Sequence, residues 1–323
     1  MGGLPAYRPM LAQLGEPPEH DGAWAYEMKW DGVRALAYVE DGRVRLFSRS
    51  GREITAAYPE LAGVAEAVAG EPCVLDGEVV AFDEAGRPRF EALQPRMHQR
   101  DPRKVRRLMG VVPVTYLLFD VLHTADGPVV AEPYLRRREL LAGLVRPGPH
   151  WDVPPHLEGV AASRVVDESR RLGLEGIVAK RVASPYRPGR RSPEWRKVKN
   201  QRSQEVVIGG WQPGRGRRAG TIGSLLTGVY EGGRLRYAGH VGTGFSEAAL
   251  RELERVLRPL ERPCSPFDDE VPREFARDAH WVEPRLVGEV RYAEWTADHR
   301  LRHPSWRGLR DDKPPAEVRR EEA

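Results

Sequence analysis

"WAYEMKWDGVRALAYVEDGRVRL", residues 24–46, sets apolar-rich runs around two Asp-Gly pairs. The second pair, Asp41-Gly42, joins two β-like runs within "ALAYVEDGRVRLFSRSG" (35–51) and has the composition of a hairpin turn. The first pair, Asp31-Gly32, follows Lys29 by two residues and precedes Arg34. A lysine at a strand end needs no special role, and Lys-x-Asp-Gly-x-Arg arises often by chance. Its meaning depends on the rest of the chain.

Outward from that stretch, "CVLDGEVVAFDEAGRPRF" (73–90) reads as a second hairpin with Gly86 in its turn, and "VTYLLFDVL" (114–122) as an apolar core strand. Helical spacing of apolar residues marks 58–69, 134–144 and 163–174. Helices mixed with antiparallel hairpins imply an α+β domain. Near Asn200–Ser203 the text changes to short strands and glycines, "EVVIGGWQPG" and "GSLLTGVYEGGRLRYAGHVGTGF". One helix follows at 246–260, with Ser246 as its N-cap and Leu250, Leu253, Val256, Leu257 and Leu260 along one face. Several short strands and a single helix fit an all-β OB-fold barrel. The expected domains are residues 1–202 and 203–323, the latter ending in a frayed tail, "EVRREEA".

The 323 residues are 40% hydrophobic, enough for two cores, and no apolar run is long enough to span a membrane. Two cysteines, Cys73 and Cys264, exclude a disulfide framework and a four-cysteine zinc site. With no leader-like N-terminus, the expected location is cytoplasmic. Basic residues are clustered. Residues 180–218 hold twelve Lys/Arg against Glu194 and Glu205, and 96–108 hold six against one Asp. Two such clusters favour phosphate contacts along a nucleic acid over a merely solvated surface.

Six further motifs follow Lys29 in order: "SRSG" (48–51), "LDGE" (75–78), "LLFDVL" (117–122), "EGIVAK" (175–180), "WRKVK" (195–199) and "LRDDK" (309–313). The series resembles the nucleotidyltransferase motifs of ATP-dependent DNA ligases. Within that family, "SPYRPGRRSPEWRKVKN", "GGWQPGRGRRAGTIGSLL" and "LRHPSWRGLR" resemble the ligase module of bacterial non-homologous end-joining ligases. The resemblance implies an adenylation (nucleotidyltransferase) domain followed by an OB-fold domain.

The chemistry suits these residue types. A lysine that attacks the α-phosphate of ATP must first be a neutral amine, and the displacement builds negative charge that cations and a divalent metal offset. Lys29 is the candidate nucleophile, and Arg34 offers a planar fork for phosphate. Glu78 and Glu175 are hard oxygen donors suited to Mg²⁺ or Mn²⁺. The resemblance further implies that Glu27 meets the adenine amine, Phe119 stacks on the base, and Glu78 contacts the ribose. Ile177 or Val178 would close the other side of the base. By the same resemblance Lys180 and Lys197 hold the α-phosphate, and Arg49 and Arg191 bind phosphate of nucleotide or nick. Lys199 is as well explained as a DNA-facing charge. Arg310 and Lys313 match the last motif, which would orient the β,γ-phosphates. The glycines of "HVGTGF" (240–245) allow either DNA approach or a barrel bend.

The expected activity is nick or end sealing in duplex DNA through a lysyl-AMP intermediate, with ATP as AMP donor. NAD use is disfavoured, because only 28 residues precede Lys29 and the zinc-site cysteines are missing. An RNA ligase or capping-type nucleotidyltransferase would share the chemistry, and a non-catalytic OB protein would share the fold. The length leaves no room for fused polymerase or phosphoesterase modules. The expectation is therefore a ligase that works either on its own or beside a separate repair polymerase and a Ku-type end-binding protein.

Overall fold

The structure is a computed structural model that describes residues 3–19, 21–97, 99–214 and 220–321. It comprises two compact units that divide between Asn200 and Gln201.

The first unit begins with β1 (Leu11–Leu14), β2 (Trp24–Met28), β3 (Val33–Glu40) and β4 (Arg43–Ser48). It continues through α1 (Val64–Ala67), β5 (Cys73–Ala81), α2 (Phe90–Leu93), α3 (Pro102–Val111) and β6 (Val114–Thr124). Then come β7 (Gly127–Pro128), α4 (Tyr134–Leu144), β8 (Trp151–Asp152), α5 (Ala162–Arg171), β9 (Gly176–Arg181) and β10 (Arg191–Lys199). These strands form two sheets, one ordered β1-β10-β9-β2 and the other β4-β3-β5-β6-β7 with β8 beside β6. The β3–β4 hairpin closes at Asp41-Gly42, where both residues have positive φ (51° and 68°), as its two-residue turn requires.

Alternation along β3 divides its side chains between two environments. Val33, Ala35, Ala37 and Val39 enter the main core with Leu61, Val64, Phe90, Leu93 and Leu118. Leu36 and Tyr38 point the other way, into a smaller cluster with Met10, Phe119, Tyr186 and Trp195. That second cluster joins the two sheets, and the candidate site lies along it.

Three local expectations are corrected. Residues 73–90 hold one central strand, β5 (Cys73–Ala81), laddered on both sides by β3 and β6, and only a Phe82–Pro88 bridge follows it. Pro88 has no N–H to extend a return ladder, and the Asp83 carboxylate instead accepts the N–H groups of Ala85 and Arg87. Residues 58–69 form a 3-10 turn (Pro59–Gly63) and a single α turn rather than a long helix. The buried Arg96 anchors this turn through Glu60 (2.7 Å) and the Ala57 carbonyl (2.6 Å). Finally, the basic stretch 96–108 contains a capped helix, α3. Asp101 accepts the Arg103 N–H and Pro102 takes the first helical position.

The second unit runs β11 (Ser203–Pro213), β12 (Ile222–Glu231), β13 (Arg234–Val241), α6 (Glu247–Leu257), β14 (Glu261–Arg262) and α7 (Arg273–Ala276). Next come β15 (His280–Arg291), β16 (Glu294–Trp295), β17 (Leu301–Arg302) and β18 (Ser305–Arg310). The sheet order is β13-β12-β11-β15-β14, with β18 on β15. Register shifts in β11, β12 and β15 curl it into an OB-type barrel. Ser246 caps α6 through the Ala249 N–H, and Leu250, Leu253 and Leu257 are buried against the barrel. The tail is docked rather than frayed as far as Glu321: Val318 is fully buried and its carbonyl accepts the Tyr230 N–H. No helix among the described residues is long and apolar enough to cross a membrane.

Candidate active site

Period-2 alternation on three paired strands builds one wall. Glu27 on β2 lies opposite Val178 on β9, which lies opposite Lys197 on β10. One step along, Ala25, Lys180 and Trp195 are matched in the same way. The intervening residues Tyr26, Met28, Ile177, Ala179 and Val198 face the opposite side, packed on Val165 and Val166 of α5. Val178 is therefore the residue on this wall, and Ile177 is core. The facing wall comes from the other sheet. Phe119 on β6 has Arg34 Cζ 4.4 Å and Lys180 Nζ 4.5 Å from its ring centroid, with Trp195 edge-on to it.

Lys29 follows β2 directly, and its N–H donates to the Gly176 carbonyl at 2.9 Å. Gly176 has φ +149°, and a Cβ there would stand 2.0 Å from the Val198 carbonyl oxygen, so only glycine lets the chain pass. The neighbouring Glu175 carboxylate is ion-paired with Lys29 Nζ. Asn200 pins the Glu175 turn by donating its N–H to the Glu175 carbonyl and its side-chain amide to Leu174 and Ser169. On the other side of Lys29, Gly32 passes so close to β5 that a Cβ would lie 2.2 Å from the Val79 carbonyl. Asp31 is buried and accepts the Phe90 N–H, so it anchors α2 as well as shaping the turn.

Glu27 is buried with three partners or neighbours. Lys180 Nζ is 2.7 Å from its Oε2, Tyr134 Oη donates to its Oε1 at 2.6 Å, and Arg138 Nη1 is 3.9 Å away. Burial by itself would raise the Glu27 carboxyl, but the Lys180 and Arg138 charges and the two hydrogen bonds outweigh it. Glu27 is held below the usual carboxylate range. Burial pulls the Lys180 ammonium below the ordinary lysine value, with Glu27 opposing. The rings of Trp195, Phe119 and Tyr134 lie 4.2–5.1 Å from that ammonium. Lys180 thus belongs with Glu27 and the aromatic rings, whereas the resemblance placed it at the α-phosphate.

The Arg34 fork is also committed. Its Nε and Nη2 donate to Asp76 at 2.5 and 2.6 Å, and Tyr186 Oη donates to the same carboxylate at 2.5 Å. Burial would lower the guanidinium, but Asp76 holds it above the ordinary arginine value. A carboxylate therefore takes the place expected for phosphate, and the guanidinium covers the Phe119 ring expected to meet the base. Asp120, beside Phe119, is gripped in turn by Arg137 of α4 at 2.7 and 3.0 Å. Sequence reasoning missed Asp76, Asp120, Tyr134, Arg137, Arg138 and Tyr186. Charges inside otherwise apolar strands were the available signal for the two aspartates.

Glu78 lies opposite Arg34 on β3 and Leu117 on β6. No cluster of three or more His, Cys, Asp or Glu able to hold a metal exists among the described residues. Two separate carboxylates, Glu78 and Glu175, suit a cation such as Mg²⁺ that takes most of its ligands from phosphate and water. Arg49 is half-buried just after β4, and Arg191 is exposed, donating to the Ala12 carbonyl at 2.6 Å.

In the second unit, Arg310 forks onto Asp312 (2.8 Å twice) and reaches Glu289 at 2.7 Å. Lys313 is buried and ion-paired with Glu205. Neither residue is a solvated tail charge. The basic run from 180 also divides: Lys180 is buried and Arg187 is paired with Glu194. Its members Arg215, Arg217 and Arg218 lie outside the described residues. The other cluster is more coherent. Arg103, Lys104, Arg106 and Arg107 are exposed on the side of α3 opposite the buried Val105.

Comparison with known proteins gives the family of both units. Residues 9–199 match the family described as ATP dependent DNA ligase domain, and residues 218–313 match the ATP dependent DNA ligase C terminal region. A multifunctional non-homologous end joining protein LigD from Mycobacterium bovis is 45% identical over 314 residues, covering 97% of this chain and 40% of that protein. Its Pseudomonas aeruginosa namesake is 37% identical, covering 96% and 36%. The chain spans about two fifths of the length of these relatives. A solved structure of mycobacterial DNA ligase D complexed with ATP and MES matches at 43% identity and TM-score 0.70 over 98% of both chains.

Proposed function

Because this chain belongs to the ATP-dependent DNA ligase family, we propose that Lys29 takes AMP from ATP and passes it to the 5′-phosphate of a break in duplex DNA. The observation that carries this reading is the Lys29–Glu175 ion pair, set beside a wall that also holds Glu27, Val178 and Lys197.

Glu175 holds the Lys29 ammonium in place, and the ammonium loses a proton to solvent to give the neutral amine that attacks. A P–N bond then forms at the α-phosphorus as the α–β P–O bond breaks, and pyrophosphate leaves. Lys197 shares the wall with Glu27 and is placed to neutralise charge growing on the α-phosphate. Transfer of AMP to the 5′-phosphate frees Lys29, and attack by the 3′-hydroxyl closes the backbone with loss of AMP. Glu78 and Glu175 would hold a divalent cation, whose contribution is to neutralise phosphate oxygens. Glu27, an ionised carboxylate, is the acceptor for the adenine amine. Arg34 and Phe119, held by Asp76 and Asp120, form the wall facing it.

The end-joining names of the relatives support a place in break repair within the nucleoid. A Ku-type end-binding protein and a repair polymerase are the proposed partners. The test is incubation with α-labelled ATP, then with nicked DNA, nicked RNA and broken DNA ends. Label on Lys29 that is consumed by DNA substrates supports the reading. Label consumed only by RNA favours an RNA ligase, and no covalent label favours a non-catalytic OB protein.

A further inference from the structure

Helix α4 carries Tyr134 and Arg138 four residues apart, on the same face, toward Glu27. Tyr134 Oη donates to Glu27 Oε1, and Lys180 takes the other oxygen. Arg138 is anchored separately, its Nη2 donating to the Pro154 carbonyl at 2.5 Å. All four side chains are buried.

An ionised carboxylate only accepts hydrogen bonds. It attracts an exocyclic amine and repels a keto oxygen at the same place on a purine. That discrimination requires the carboxylate to stay ionised and in one orientation. Lys180 alone gives no such orientation, since an ammonium is a point charge on a flexible stem with three rotatable donors. A phenol at the start of a packed helix has two torsions and one donor direction. Without it, both Glu27 oxygens would be free to turn toward Lys180.

We propose that Tyr134, supported by Arg138, is a positioning residue for base selection: it fixes Glu27 so that one carboxylate oxygen faces the amine of the incoming nucleotide. The proposal rests on the reading of Glu27 as the acceptor for that amine. Nothing in the lysine chemistry requires Tyr134, so its effect falls on nucleotide recognition and not on later steps.

The test is Tyr134→Phe, which keeps the ring and removes the hydroxyl. Protein–AMP formation is measured with ATP and with purine riboside 5′-triphosphate, which lacks the amine. Tyr134→Phe should raise KM for ATP by about tenfold or more, the worth of one hydrogen bond to a charged group. It should leave kcat, and KM for the amine-less nucleotide, within about twofold. Sealing of a nick that already carries 5′-AMP should be unchanged, which shows that the fold is intact. Glu27→Gln is the reference and should erase the preference for ATP over the analogue. If Glu27→Gln keeps that preference, the reading of Glu27 fails and the proposal fails with it. If Glu27→Gln loses it while Tyr134→Phe keeps it in full, the positioning role alone is overturned. Equal losses on both nucleotides, or a loss in sealing the pre-adenylated nick, would make Tyr134 a structural residue and overturn the proposal.

Discussion

Lys29 and Glu175, 146 positions apart in sequence, form an ion pair where the end of β2 meets the turn entering β9. The main-chain bond from Lys29 to Gly176 fixes the spacing, so the pairing does not depend on side-chain reach alone. Lys29→Arg preserves the charge and the pairing but not the chemistry, because a guanidinium stays protonated at neutral pH. The variant should fold, bind ATP and form no covalent AMP adduct. Intact mass measurement after incubation with ATP checks this, and an adduct on Lys29→Arg would remove Lys29 from the nucleophile role.

Glu175→Gln keeps the volume of the turn and leaves its main-chain bonds to Asn200 in place. It removes a charge beside Lys29 and one of two metal-suited carboxylates. Adenylation should slow on the order of a hundredfold, as for loss of one preorganised electrostatic group. Single-turnover adenylation across a magnesium titration measures it. A rate near that of the unaltered protein at every magnesium concentration would exclude Glu175 from the site.

The hairpin at Asp41-Gly42 was legible because it is a local pattern with a local cause. A turn needs Asp-Gly, and the motif spacing places a carboxylate just ahead of a strand. The main-chain contact between Lys29 and Gly176 is not local, and neither is the β2–β9 register that sets Glu27 against Val178. Lys180 looked like a phosphate ligand because the residues that engage it, Glu27, Phe119, Tyr134 and Trp195, come from four separate stretches of sequence. The pairing of Arg34 is non-local for the same reason, since Asp76 meets it only when β3 pairs with β5. The basic stretch at 96–108 contains a helix whose Asp-Pro start is local, but whose one buried residue among the cations, Val105, gives too little apolar periodicity to mark it.

The α3 cations should contact DNA phosphate. Replacing Arg103 and Arg107 by Glu should weaken binding to nicked duplex and flatten the plot of log affinity against log salt. Loss of two phosphate contacts corresponds to a change in slope of about 1.8. Adenylation should be unaffected. Arg170 and Arg171 of α5, already paired with Asp167 and Glu168, provide the control and should change little. An unchanged slope for the α3 variant would leave that face as solvated charge.

Stability should depend sharply on the Arg96–Glu60 pair, whose side chains are 0% and 2% exposed. Glu60→Ala strands a buried guanidinium and should cost about 3–5 kcal/mol. Replacing both residues with apolar ones of similar volume should recover part of that loss. Denaturant unfolding of the single and double variants measures the difference. A single-variant loss below about 1 kcal/mol would show that Arg96 finds water or another partner.

Arg310 and Lys313 offer the sharpest separation of steps. Both are neutralised within the second unit, Arg310 by Asp312 and Glu289 and Lys313 by Glu205. To act on the β,γ-phosphates they must exchange these carboxylates for the nucleotide, and the exchange is needed only while pyrophosphate is still attached. Arg310→Ala leaves Glu289 with Arg307 at 2.7 Å, so that carboxylate is not stranded. If the motif orients the departing pyrophosphate, Arg310→Ala and Lys313→Ala should cripple adenylation and still seal a nick carrying 5′-AMP at near-normal rates. Equal losses in both assays would assign the pair to folding or DNA binding, because Asp312 and Glu205 would then be the partners that matter. Unchanged adenylation would confine both residues to the ionic network in which the structure places them.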